Sequence, residues 1–147
     1  MRSKWRWILS VCALFMLLTG CGSEKQQLQD GYYTAQQAEY SHGWKEYITI
    51  MVKGGEIVSV EYNAENPSGF IKSWDNAYMQ NMLRVQDTYP NEYTRNYAAQ
   101  LIETQGEGQI NAVSGASVSC SSFQMLATAV MEQAQKGDSS VVYVDTN

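Results

Sequence analysis

Two runs of alternating apolar and polar residues meet at Gly54-Gly55, and that junction limits the possible folds more than any other feature of the chain. In the first run Ile48, Ile50 and Val52 alternate with Tyr47, Thr49 and Met51. In the second, Val58, Val60 and Tyr62 alternate with Ser59, Glu61 and Asn63. A period of two is the strand repeat, and adjacent glycines accept the positive φ angles of a tight turn, so the segment from Gly43-Trp44 to Asn63 is predicted to be a β-hairpin. Tyr32 to Tyr40 reads as a first strand, and Asn66-Pro67-Ser68-Gly69 as the turn that closes the segment.

The remaining periodicity supplies helices. Ser73 is placed to cap one in which Trp74, Tyr78, Met82 and Val85 share a side. Pro90 suits the first turn of the next, with Tyr93, Tyr97, Leu101 and Ile102 along one face. Phe123, Leu126, Ala127, Val130, Met131 and Ala134 follow the 3.6-residue repeat in the last, and Gly137 stands at its C-cap. Val141 to Val144 reads either as a short final strand or as a tail, and there is no internal repeat. The fold class expected is α+β: an antiparallel sheet with a β-hairpin packed against about three helices, in a single domain over residues 31–138 with 139–147 as a tail.

Ahead of that domain, Met1-Arg2-Ser3-Lys4-Trp5-Arg6 is basic and the run from Trp7 to Leu18 is apolar but short for a membrane span. It ends in Leu18-Thr19-Gly20-Cys21, which resembles the lipobox of bacterial lipoprotein signals. The resemblance implies diacylglycerol on the Cys21 thiol, cleavage after Gly20, and acyl chains such as palmitate in the outer leaflet of the cytoplasmic membrane. A signal anchor with an incidental cysteine is the alternative. Residues 1–20 are thus read as signal peptide and 21–30, polar and without period, as a flexible tether.

Without residues 1–20 the chain keeps seven of its ten Lys and Arg and all fifteen Asp and Glu, a net charge of −8. Such a surface argues against nucleic acid as a partner, because a phosphate backbone rewards basic residues. Cys12 leaves with the signal and Cys21 is committed to lipid, so Cys120 stays as the one thiol and no internal disulfide can form. One histidine, His42, and one thiol also make a poor zinc set, and no metal site is expected.

The segment that suggests chemistry is Asn111-Ala112-Val113-Ser114-Gly115-Ala116-Ser117-Val118-Ser119, feeding the last helix. The unpaired N–H groups of a helix's first turn favour an anion, Gly115 and Ala116 let a ligand approach the backbone, and Ser114, Ser117 and Ser119 add donors. An N-cap on a close-packed helix explains the same residues.

This segment resembles the Ser-Gly-Ala-Thr motif of the FMN-binding domain family, which includes the C subunit of sodium-pumping NADH:quinone oxidoreductase and Gram-positive surface flavin lipoproteins. In that family a flavin transferase esterifies the final hydroxyl with the FMN phosphate. By resemblance Asn111 stands where the family has aspartate, Ser114, Gly115 and Ala116 match, and Ser117 replaces the acceptor threonine. Asp30 to Ala35, Gly43 to Val60, Ser73-Trp74-Asp75 and Thr88-Tyr89-Pro90 extend the likeness over most of residues 30–138. Serine for threonine preserves the phosphoester chemistry, whereas asparagine cannot do what a carboxylate beside the acceptor could, namely draw off its proton or hold a metal. Covalent FMN on Ser117, non-covalent FMN and a flavin-free descendant therefore all stay open.

Several residues invite a flavin role and also have plainer readings. Trp44 and Trp74 can stack on a ring or pack in the core. Tyr78, Tyr93 and Tyr97 are read as core, His42 as an exposed turn residue, and Asp75 as support for a helix's first turn. Cys120 is either a thiol acidified by the helix dipole or a small buried residue. The resemblance implies an electron relay between membrane quinols or a membrane oxidoreductase and an outside acceptor, with no catalytic residues of its own. The other readings are a surface binding module without flavin, or a small reductase acting directly on an acceptor such as fumarate or ferric iron.

Overall fold

The structure is a computed structural model that describes residues 27–146. The signal peptide, Cys21 and the first part of the tether lie outside the described residues. Four strands, β1 (Gly31–Gln37), β2 (Lys45–Lys53), β3 (Glu56–Glu65) and β4 (Val142–Val144), form one sheet in the order β3-β2-β1-β4. The expected hairpin is β2–β3, with Gly54 and Gly55 both at positive φ. β1 runs antiparallel to β2, and the short β4 adds parallel to β1, so the last residues belong to the domain.

A register shift between Met51 and Val52 breaks the alternation at one place. Met51 pairs with Ser59 but Val52 pairs with Ile57, so Val58 is the extra residue of a β-bulge. Val60 and Tyr62 keep the face predicted for them. Val58 turns out to solvent and Ile57 packs inward in its place.

Helices cover one face. A single 3-10 turn (Lys72–Trp74) precedes α1 (Asn76–Gln86), α2 (Pro90–Thr104) and α3 (Ser117–Lys136). The cap of α1 is Asp75, not Ser73: the Asp75 carboxylate accepts the Tyr78 N–H at 2.9 Å. Ser73 is buried instead, its hydroxyl accepting from Asn63 at 2.8 Å. Pro90 opens α2, and Gly137 closes α3 in the left-handed conformation with the N–H of Asp138 bonded back to Gln133.

Phe123 is the centre of the core. Its ring meets Tyr62 edge-on at 4.9 Å and Tyr97 at 5.6 Å, joining α3 to β3 and α2. Each such aromatic pair contributes about 0.5–1.5 kcal/mol beyond area burial. At the far end Gln29 donates its N–H to Ala134 at the C-terminus of α3, and Asp30 accepts the Gly55 N–H, so residues 29 and 30 pack as part of the domain rather than as tether.

Candidate functional site

A cleft of about 530 Å³ opens at the other end of the molecule, between α1, the first turn of α3 and the loop entering β2. Its volume falls in the range of small-molecule sites, roughly 300–1,000 Å³. Gly115, Ala116, Ser117 and Ser119 all line it. Ser117 and Val118 are exposed, and no side chain caps α3. The N–H groups of its first turn therefore meet the cleft without a side-chain partner, and the helix dipole adds positive potential there.

Core tyrosines pin this turn. The Tyr97 hydroxyl donates to the Ala116 carbonyl at 2.9 Å and accepts the Val113 N–H at 3.1 Å. The Tyr62 hydroxyl donates to the Ser119 carbonyl at 3.0 Å. Gly115 has φ +79°, and a Cβ there would collide with the backbone carbonyl of Gln86 at the end of α1. The space that glycine leaves on that side is taken up by Gln86, so packing against α1 is enough to require glycine here.

Two of the predicted residues lie elsewhere. Asn111 is exposed beside a separate shallow groove, its backbone N–H and carbonyl both bonded to the Gln100 side chain at 2.7 and 3.0 Å. Ser114 is exposed and outside the cleft lining.

Trp44 and Tyr78 form one wall, ring centroids 5.9 Å apart and edge to face. The Lys72 ammonium lies over both rings, 4.9 Å from Tyr78 and 5.7 Å from Trp44. Tyr78 is therefore a half-buried cleft residue rather than core, whereas Tyr93 and Tyr97 are core as expected. Trp74, 67% exposed, faces away from the cleft. His42 is an exposed turn residue at φ 51° that nonetheless reaches the rim.

Glu46 joins these residues in the cleft. At the start of β2 it shares the helix-facing side of the sheet with Ile48 and Ile50, and it lines the cleft floor. Oε1 accepts from the Ser119 hydroxyl at 3.3 Å, and Oε2 is buried without a partner. Burial pushes the carboxyl above its ordinary range, partly offset by the Tyr62 hydroxyl, Lys72, Ser122 and Ser119. The sequence holds one faint sign of it, an acidic residue on the apolar face of an otherwise alternating strand. Cys120 is buried and burial raises its thiol, the opposite of the dipole effect considered for it. Among the described residues no cluster of three or more His, Cys, Asp or Glu could hold a metal, and no helix is long and apolar enough to cross a membrane.

No family model matches the chain. It is 28% identical over 130 residues to the 15 kDa lipoprotein of Treponema pallidum (strain Nichols), covering 88% of this chain and 91% of that one. The crystal structure of CPE2226 protein from Clostridium perfringens superposes with a TM-score of 0.76 at 33% identity, over 80% of this chain and 98% of that one. A solution NMR structure from Clostridium thermocellum matches at 28% identity with a TM-score of 0.50, over 73% and 92%.

Proposed function

Given that this chain belongs to the same family as the CPE2226 protein of Clostridium perfringens, we propose that it is a membrane-anchored extracytoplasmic lipoprotein whose cleft holds FMN for electron transfer. The anchor reading rests on the lipobox-like Leu18-Thr19-Gly20-Cys21. The likeness to a 15 kDa lipoprotein supports it, since a match over 88% of the chain leaves too few residues outside it to omit Cys21. Two or more acyl chains on one cysteine give stable anchoring.

The observation that carries the flavin reading is the pairing of an uncapped α3 N-terminus at Ser117 with the Trp44–Tyr78 wall inside one cleft. The first turn of α3 and the Ser117 and Ser119 hydroxyls suit a phosphate, the aromatic wall suits a planar ring, and Lys72 adds a cation in a chain that is otherwise acidic. When bound, flavin supplies the redox chemistry, and the protein contributes orientation, electrostatics and exclusion of water. Ser117 is exposed and so accessible to a flavin transferase for esterification. A membrane oxidoreductase or the quinol pool would be the electron donor.

The test is to express the full gene with a flavin transferase in a host that exports lipoproteins and inspect the denatured protein under ultraviolet light. Fluorescence that survives denaturation and is abolished in Ser117→Ala is the expected result. Colour lost on denaturation assigns FMN non-covalently, a version favoured by Asn111 lying away from the cleft. A protein that is colourless after native purification sinks the flavin reading and leaves a surface binding module.

A further inference from the structure

Glu46 has a geometry that filling space does not require. Its Oε2 is the buried side-chain polar atom left without a partner among the described residues. An orphaned polar atom costs a fold free energy, and a glutamine or methionine would occupy the position without leaving a buried charge. The groups that face it are known from every side. Gln37 of β1 accepts the Glu46 N–H at 2.8 Å. The Tyr62 hydroxyl approaches from β3, Ser119 and Ser122 from α3, Lys72 from the 3-10 turn, and the Tyr93 and Tyr97 hydroxyls from α2. His42 lines the same cleft from its rim. One cation and a ring of neutral hydroxyls thus surround a carboxyl that shares its cleft with the anion-attracting start of α3.

We propose that Glu46 is a positioning residue that makes ligand binding here proton-linked, so that a phosphate-bearing ring entering the cleft brings a proton onto the Glu46 carboxyl. This rests on the flavin reading of the cleft. Two negative charges in one partly desolvated cleft repel, and the carboxyl escapes by protonation. The proton comes from solvent and forms one O–H bond on Glu46, and no other bond changes. The protonated carboxyl then carries a donor as well as an acceptor, able to bond a hydroxyl oxygen around it. Burial already biases the carboxyl toward this form.

The test uses the full chain in detergent with FMN as the probe, its affinity read by fluorescence quenching between about pH 5 and about pH 8. Relative to Glu46→Gln, which fills the same volume and does not titrate, the wild type should lose affinity by up to about tenfold per pH unit across the carboxyl's titration. In parallel, the carbon-13 resonance of the Glu46 carboxyl in the wild-type chain should move toward its protonated position when FMN is added. That reading does not depend on the variant folding. Equal pH profiles in two proteins that both bind FMN, or a resonance that stays in place on binding, overturn the proton link and leave the flavin reading intact. Failure of free FMN to bind either protein also overturns the proton link, while the flavin reading is overturned only by a natively purified protein that is colourless after expression with the flavin transferase.

Discussion

Ionised Glu46 costs the folded state, because burial is the largest influence on it and raises its carboxyl. The sign follows from linkage: the folded chain binds this proton more tightly than the unfolded chain, so the contribution is fully present below the ordinary glutamate range. It is lost as pH rises through the raised value. Glu46→Gln should therefore gain in melting temperature over the wild type as pH rises from about 4 to about 8, and thermal scans in which the gap narrows would contradict it. The Tyr97 hydroxyl makes two bonds that fix the turn before α3, so Tyr97→Phe should cost roughly 1–3 kcal/mol in urea denaturation. The sequence identified Tyr97 as core from its helical spacing, and that was right. Its hydroxyl's task was illegible, since Val113 and Ala116 come beside it only when α2 packs under α3.

Among the elements α1 is the loosest. It has no buried residue, although Tyr78, Met82 and Val85 gave it an apolar stripe in the sequence. That stripe lines the cleft, with Met82 also packed against the core, so Tyr78 meets the cleft rather than the interior. The helix is held by its Asp75 cap, by contacts around Lys72, and by the approach of Gln86 to Gly115. Gly115→Ala combines a positive φ with a backbone collision, so it should destabilise by roughly 1–3 kcal/mol. It should also speed amide exchange across Asn76–Gln86. Unchanged exchange there would show that α1 is held by other contacts. The boundary error at Ser73 has a similar origin: serine and aspartate are both good caps, and tertiary bonds from Asn63 and Asn91 draw Ser73 into the interior.

Across the whole molecule the cleft and the N-terminal entry lie at opposite ends of α3. Its twenty residues span about 30 Å at 1.5 Å per residue. Gln29 and Asp30 bind at its C-terminus and at the Gly54-Gly55 turn, while Ser117 begins it at the cleft. Spin labels at Gln29→Cys and Val118→Cys should therefore report a separation of about 30 Å by pulsed dipolar spectroscopy; a distance below about 20 Å would mean that the entry folds back toward the cleft.

The sequence by itself determined the hairpin at Gly54-Gly55, the inward faces of α2 and α3, the Gly137 cap and the overall α+β class, because these follow from local periodicity and turn chemistry. It also supplied the small-residue turn at Gly115 to Ser119. Only the tertiary structure decided that Val58 bulges outward, that Asn111 and Ser114 fall outside the cleft, and that Glu46, Lys72, Trp44 and Tyr78 meet at Ser117. Those four come from β2, the turn before α1, the loop entering β2 and α1, far apart in the chain from residue 117. Period and spacing describe one element at a time, whereas a cleft is made where elements distant in sequence pack together.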